Sequence, residues 1–323
     1  MLTKNTILLN EKYEMSINTF HDTNGNHIFN ESRYFLLHKN SNSDVYAQLL
    51  RSTDKKVFAT ISFYEAEPKI YSSPAKGTFG GVSCNNPVEI NILEIFIKHL
   101  LNYMKLNGAI KINILLPPLI HNLPFNSIIL NILIRLGFVI KNHELGYIME
   151  VDKISFIEKI SYGSQKKIKQ CIRDGFLATQ EKHINITKIY SVIKESRERL
   201  GIKVSLTLNE LNQMISIFPD KFHLFSISKA ANLDQTYAAA VCIALTDKIL
   251  YVFYWGDINN KSTYSPIVLL AQYIYTFCQN NGFNYLDAGV STLQGEPNYG
   301  LMQFKKNLGF MESIKIDLAL DLN

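Results

Sequence analysis

The sequence predicts an α/β protein with mixed sheets, arranged as two tandem domains at 1–152 and 153–323. Its length of 323 residues exceeds that of most single domains and gives each half enough chain for its own core. Apolar residues make up 47% and charged residues 19%, which is typical of a globular protein. Two segments also repeat one order of predicted elements: meander, helix, strand, helix, strand.

The first segment provides this order for the N-terminal domain. β-rich runs between turn residues predict strands, and apolar positions at helical spacing predict helices. In chain order the elements are strands Val57 to Tyr64 and Lys69 to Ser72, a helix from Pro87 to Asn107, strand Ala109 to Leu115, a helix from Ser127 to Leu136, and closing strand material from Val139 to Val151.

The second segment repeats the order in the C-terminal domain. Its predicted elements are strands Phe222 to Ser228, Tyr237 to Leu245 and Lys248 to Trp255, a helix from Pro266 to Asn281, strand Phe283 to Ala288, a helix from Asn298 to Leu308, and a closing strand from Ser313 to Leu320. Two helices precede this meander. One runs from Lys188 to Leu200, and the other opens with a capping box between Thr207 and Glu210.

The stretch from Asn284 to Phe310 holds the strongest candidate for a ligand site. A short strand opens into a Gly- and Pro-containing loop, and a helix follows. Ligands of α/β proteins commonly bind where a strand ends beside a helix N-terminus. The polar residues here are Asp287, Glu296, Asn298 and Tyr299, followed one turn later by Lys305 and Lys306. The alternative is an ordinary crossover loop that binds nothing.

A basic stretch joins the two segments. Lys159 to Arg173 carries five basic residues and no acidic one. On a helix, Lys166, Lys169 and Arg173 share one face. This face is either a solvated surface or a patch that binds phosphate beside a cleft.

Composition excludes several classes of function. The net charge of +5 and the pI of about 8.8 are too small for a dedicated nucleic-acid-binding protein, with no DNA partner expected, but they are compatible with phosphate-bearing ligands. The four cysteines show no CxxC pairing and the eight histidines no HxxxH or HExxH spacing, which predicts reduced thiols and no metal site. The N-terminus does not read as a secretory signal, and the longest apolar run is too short for a bilayer. We therefore expect a cytoplasmic protein without a membrane span.

Several motifs resemble one family when taken together. They are the basic helix YGSQKKIKQCIRDGF, then ESRERLG, the helix SPIVLLAQYIYTFCQNNGFNYLDAGV and the tail EPNYGLMQFKKNLGF. In this order they are similar to the FemABX-like branch of the GNAT acyltransferases. The N-terminal loop YSSPAKGTFGGV is similar to the SPxxxxGG loop in the first domain of those proteins. The resemblance covers most of the chain and is best in its C-terminal half.

This resemblance implies two tandem GNAT-like domains, with the N-terminal one degenerate and on the acceptor side. It also implies transfer of an acyl group from a carrier to an amine, without a covalent enzyme intermediate. Branch members use aminoacyl-tRNA to build peptidoglycan cross-bridges, or an acyl thioester to modify sugars and other small amines. Lys305 follows Phe304 where the family's signature lysine stabilises charge at the reacting carbonyl, and Lys169 and Arg173 fall near positions that hold acceptor phosphates.

The remaining site residues receive their expected roles from this topology and chemistry. Tyr254 and Trp255 end a strand expected to lie opposite the start of strand Phe283 to Ala288, and the two strands are expected to splay apart and expose backbone N–H groups to the acyl group. Asp287 is the first candidate for a carboxylate that orients or deprotonates the amine, although it could equally bond the following loop. The other candidates are Glu296 as a base, Tyr299 and Tyr264 as proton donors to a leaving group, and Asn298 at the acceptor.

The donor loop departs from the family pattern. The segment GDINNKSTYSP lacks the glycine spacing with which GNAT enzymes hold the pyrophosphate of CoA. Lys261 and the backbone from Ser262 to Ser265 remain candidates for binding an anion. The donor is therefore left open between acyl-CoA, an acyl carrier protein and aminoacyl-tRNA, with no tightly bound cofactor expected. The acceptor is a small amine, such as a nucleotide-linked amino sugar. A third hypothesis is an inactive protein that binds a ligand without turnover.

Overall fold

The computed structural model describes residues 6–23, 27–258 and 264–322. Its strands are β1 (Thr6–Leu8), β2 (Tyr13–Ile17), β3 (Val45–Arg51), β4 (Val57–Glu67), β5 (Ile70–Ser73), β6 (Ser83–Cys84), β7 (Lys111–Leu115), β8 (Val139–Glu150), β9 (Phe176–Glu181), β10 (Phe222–Lys229), β11 (Asn232–Ala244), β12 (Ile249–Asp257), β13 (Tyr285–Val290), β14 (Thr292–Leu293), β15 (Glu296–Pro297) and β16 (Met311–Asp321). Its helices are α1 (Ser32–His38), α2 (Ile90–Leu106), α3 (Leu123–Arg135), α4 (Phe156–Lys159), α5 (Tyr162–Arg173), α6 (Ile186–Arg199), α7 (Leu208–Ile217), α8 (Pro266–Asn280) and α9 (Tyr299–Asn307).

The chain divides into two compact units. Unit 1 consists of Met1–Glu144 together with Ser313–Asn323, and unit 2 is Leu145–Glu312. The sequence predicted two domains at 1–152 and 153–323. The observed division lies earlier in the chain, and the last residues belong to the first unit and not to the second.

Unit 1 is built on a mixed sheet. Its strands follow the order β1-β2-β3-β4-β5-β7-β16, with β6 paired to β4, and β5 and β7 run parallel while the other neighbours are antiparallel. Helix α2 packs Phe96, Leu100 and Met104 into its core, and α3 adds Ile129 and Leu133. Four-residue spacing on α2 places its buried residues on one stripe.

Unit 2 is built on a second mixed sheet, ordered β8-β13-β12-β11-β10-β9. Among its described strands, β12 and β13 alone run parallel, as expected for strands joined through a crossover helix. That helix is α8, which starts with Pro266 and buries Leu270, Ile274 and Cys278 against the sheet. The predicted meander, helix, strand and helix are therefore present in this unit.

The closing strands are exchanged relative to the sequence prediction. We expected Val139–Val151 to close the first segment and Ser313–Leu320 to close the second. In the structure, β16 pairs with β7 inside unit 1, from Asp317 opposite Leu115 to Asp321 opposite Lys111. Residues 145–150 of β8 instead pair with β13 inside unit 2. Local periodicity predicted both strands correctly, but it carries no information about which sheet a strand joins.

Candidate active site

Strands β12 and β13 separate partway along their length. They pair only from Ile249 opposite Tyr285 to Tyr251 opposite Asp287. Beyond Tyr251, β12 continues to Asp257 without a partner in β13. On the other edge of β12, a register shift inserts Phe253 as a bulge against β11. The predicted splay is thus present, but Tyr254 and Trp255 lie beyond the last pair, near the end of β13. The expectation that they face its start was wrong, because the two strands are parallel.

A turn at the end of β13 is fixed by its own aspartate. The Asp287 side chain is buried, and its Oδ1 accepts a hydrogen bond of 2.7 Å from the Gly289 N–H. Gly289 has a φ of +72°, in the left-handed region that glycine adopts without a steric penalty. The alternative structural role considered for Asp287, a bond to the following loop, is therefore real. It also places the carboxylate beside the splay.

Lys305 reaches this turn from helix α9. Its side chain is only 1% exposed, although lysine is rarely buried without partners. The Nζ donates hydrogen bonds of 2.9 Å to the carbonyl oxygens of both Gly289 and Val290. It also lies 5.4 Å from the centre of the Tyr147 ring, within the range of a cation–π contact. An ammonium has three N–H donors, and these two carbonyls use two of them.

The pKa of Lys305 lies close to physiological pH. Burial lowers its pKa from 10.5 to about 7, and the nearby Asp287 carboxylate opposes this shift. Small changes in the surroundings therefore decide whether the amine carries a proton at physiological pH. Strongly shifted pKa values in a buried lysine occur more often at functional sites than elsewhere, which makes Lys305 the leading candidate residue of this unit.

The other catalytic candidates lie on the surface. Glu296 is exposed and pairs with Leu293 in the two-stranded hairpin of β14 and β15. Tyr299 is 76% exposed, in the first turn of α9. Asn298 caps this helix, since its Oδ1 accepts a 3.0 Å hydrogen bond from the Leu301 N–H. The structure thus brings Asp287 and Lys305 together, whereas Glu296, Tyr299 and Asn298 line the exposed approach to α9.

Tyr254 and Trp255 have different surroundings. The Tyr254 hydroxyl is hydrogen-bonded to the Ser205 hydroxyl and accepts a 3.2 Å bond from the Leu206 N–H. Burial raises its pKa. Trp255 instead contacts Phe304, the residue before Lys305, with ring centres 5.9 Å apart. The ring contact with Phe304 connects Trp255 to α9.

The remaining donor candidates lie near the start of α8. Tyr264 packs on Phe176 with ring centres 5.3 Å apart, and the Lys229 Nζ lies 4.8 Å from the centre of the Tyr264 ring. Ser265 precedes the helix, and its carbonyl oxygen accepts a 3.0 Å hydrogen bond from the Val268 N–H. Lys261 lies outside the residues that the structure describes.

The basic residues of α5 lie on its exposed side. Lys169 and Arg173 are both exposed, and the Arg173 Nε lies 3.5 Å from Asp174. The opposite side of α5 buries Ile168 and Cys171, as expected for an amphipathic helix. Their predicted role at the acceptor remains a prediction.

Two features of the site escaped sequence reasoning. The carbonyls of Gly289 and Val290 carry no side-chain signal, although the Asp-x-Gly spacing at 287–289 is typical of a tight turn and could have indicated it. Tyr147 is far from Lys305 in sequence, so only the fold connects them. In the described part of the chain, no three His, Cys, Asp or Glu side chains gather as a metal site, and no helix is long and apolar enough to span a membrane.

Solved structures share this architecture over nearly the whole chain. A crystal structure of FemX superposes with a TM-score of 0.68 at 13% identity, covering 94% of each chain. L-PGS from Bacillus licheniformis gives 0.61 at 12% identity, covering 93% of this chain and 89% of that one. A tandem GNAT protein from the clavulanic acid biosynthesis pathway gives 0.51 at 5%, covering 88% and 85%. The chain has the fold of FemX and the tandem GNAT proteins.

The predicted fold class is therefore confirmed. At such low identity the likeness concerns the fold, and it assigns no substrate. No protein-family model matches the sequence, and no curated protein matches it either.

Proposed function

We propose that the protein is an N-acyltransferase that moves an acyl group from a thioester carrier to the amine of a small acceptor. The observation that carries this proposal is the position of Lys305, buried and hydrogen-bonded at the end of β13, beside the point where β12 leaves that strand. The FemX and tandem-GNAT fold supports the same reaction class. The amine of an amino sugar or of a cell-envelope precursor is the proposed acceptor.

The reaction needs positioning more than a reactive protein side chain. The neutral amine attacks the thioester carbonyl carbon, and the carbonyl oxygen becomes an oxyanion. The C–S bond then breaks and the thiolate leaves. The amine loses one proton as the amide forms, and the thiolate takes up one proton to become the free thiol. Holding both substrates in attack geometry lowers the barrier by roughly 7–11 kcal/mol. One well-placed donor to the oxyanion adds about 3–4 kcal/mol.

Lys305 and Asp287 have complementary roles in this proposal. As an ammonium, Lys305 directs its remaining N–H toward the oxyanion, and the bonds to Gly289 and Val290 fix its direction. Asp287 favours the charged form of Lys305 and orients the attacking amine. At the exposed approach to α9, Glu296 is the alternative candidate for the base, and Tyr299 is the candidate proton donor to the leaving group.

The unpaired part of β12 is the proposed binding surface for the acyl carbonyl. Residues from Val252 onward have no partner in β13, and the bulge at Phe253 turns the strand locally. Trp255, Tyr264 and Ser265 are the described residues proposed to contact the carrier. Acyl-CoA and an acyl carrier protein both fit this proposal as donors.

Aminoacyl-tRNA is the second candidate donor. Its support is the more extensive fold match to FemX than to the tandem GNAT protein, with TM-scores of 0.68 and 0.51. The exposed basic side of α5, including Lys169 and Arg173, would then meet phosphates. The third candidate is an inactive GNAT-like protein that binds a ligand without turnover.

Isothermal titration separates the three candidates. The donors to titrate are acetyl-CoA, longer acyl-CoAs, an acylated carrier protein and charged tRNA. Each donor is then incubated with the protein and a panel of amino sugars, and the released thiol or free tRNA is measured. Thiol release that depends on an amine supports the proposal. Amine-dependent release of tRNA alone supports the second candidate, and binding without release of either supports the third.

A further inference from the structure

A cavity lies in unit 1, away from the residues discussed so far. It has a volume of about 260 Å³ and is formed by helix α2, the end of α3 and the end of β16. Its apolar lining consists of Leu101, Leu136, Leu320 and Leu322. Four leucines at one open groove form a small surface that is favourable for an apolar chain.

Two lysines of α2 stand at the edge of this groove. Lys98 and Lys105 are seven residues apart, so they lie on one side of the helix about 10 Å from each other. Lys98 is 4.0 Å from Glu94, which also binds Arg135 at 3.0 Å. Within residues 6–23, 27–258 and 264–322, Lys105 forms no ion pair. At least one ammonium is therefore available to an incoming anion.

The acidic residue at the groove does not cancel this charge. Asp321 also lines the cavity, and its carboxylate lies 3.6 Å from the Lys111 ammonium. The local balance around the leucines thus stays positive. An apolar floor with a cationic edge is complementary to a molecule that has an apolar tail and an anionic head.

We infer that this groove binds a free medium-chain fatty acid, with its chain on the leucines and its carboxylate at Lys105 and Lys98. The volume corresponds to about nine water-sized groups, which admits a chain of roughly eight carbons but no folded peptide. This site is independent of the transferase proposal, because every residue that forms it belongs to unit 1.

Calorimetric titration with octanoate tests the inference on the full chain. Octanoate is expected to bind, hexanoate about fifteenfold more weakly, and acetate not at all, since each of the two missing methylenes weakens binding about fourfold. The uncharged 1-octanol is expected to bind more weakly than octanoate. Absence of octanoate binding at millimolar concentration would overturn the inference.

Two variants locate the site. The double variant Lys98→Gln/Lys105→Gln changes only exposed helix positions and should weaken octanoate binding about fivefold or more, with 1-octanol unaffected. Asn102→Trp, at the groove wall, should block both ligands. Unchanged octanoate affinity in both variants, with a normal melting curve, would place binding elsewhere. The protein is also sedimented with phosphatidylglycerol vesicles in the presence and absence of excess octanoate. Binding to the vesicles that octanoate does not reduce would mean that the groove binds a lipid surface and not a free fatty acid, and would overturn the inference.

Discussion

Lys305 and Gly289 are joined by a 2.9 Å hydrogen bond between the lysine Nζ and the glycine carbonyl oxygen. This bond ties helix α9 to the end of β13, beside the point where the sheet of unit 2 opens. It also relates two unusual features, a buried lysine and a left-handed backbone turn. We expect each to depend on the other.

Gly289→Ala tests the turn. Because φ is +72° at this position, alanine should cost about 1–2 kcal/mol in the free energy of unfolding. It should also lower kcat about tenfold, since the carbonyl that holds Lys305 would shift. Urea denaturation and a steady-state assay measure the two effects.

Gly300→Ala is the matched control for this change. Gly300 lies in α9, and an added Cβ would meet only Asn298 Oδ1 at 3.6 Å, an ordinary contact. Alanine there should stabilise the helix by up to about 1 kcal/mol. Equal effects of the two substitutions would contradict the account of the turn.

The stability of the protein should depend on pH through Lys305. Its pKa falls on folding from 10.5 to about 7, so between these values the unfolded chain holds a proton that the folded chain has released. The contribution of Lys305 to the free energy of unfolding therefore rises with pH across this window. Lys305→Met lacks this contribution.

Denaturation at pH 7, 8, 9 and 10 measures this difference. The free energy of unfolding of the wild type, relative to Lys305→Met, should increase steadily with pH. Other groups titrate in both proteins and cancel in the difference. A difference that stays constant with pH would mean that the pKa of Lys305 is not lowered.

Leu318→Ala tests the exchange of closing strands. Leu318 is buried in the core of unit 1 and lies opposite Ile114 of β7. Its truncation should cost about 2–5 kcal/mol and speed native-state hydrogen exchange in β7. The equivalent change in unit 2, Leu286→Ala in β13, should speed exchange in β12 and β8. Faster exchange in β13 caused by Leu318→Ala would contradict this account. It would support the sequence-based assignment of β16 to the second unit.

The sequence predicted the elements better than their partners. The capping box between Thr207 and Glu210 is formed, and α8 starts at Pro266 as expected, because these signals act within a few residues. β9 was missed, since Phe176–Glu181 follows a helix without a clear alternation, and the first three strands were not predicted. Local pattern could not predict which sheet β8 and β16 each belong to, because strand pairing depends on contacts distant in sequence.

The candidate site divides in the same way. The lysine after Phe304 was singled out from the motif, and the structure buries it beside Asp287. The roles of Asn298 as a helix cap and of Tyr254 as a partner of Ser205 depend on hydrogen bonds that residue type alone does not specify. Tyr147 joins the site through pairing of β8 with β13, which spans more than a hundred residues.

The most direct test is the rate of amine-dependent thiol release by Lys305→Met, measured with whichever thioester donor binds, beside Lys306→Met. Methionine keeps the length of the buried side chain, whereas Lys306 is exposed and pairs with Glu312 at 2.6 Å. The account predicts a loss of about 100-fold or more in kcat for Lys305→Met, and a change within about twofold for Lys306→Met. Both should melt within a few degrees of the wild type. Unchanged turnover in a folded Lys305→Met variant would contradict the proposed site.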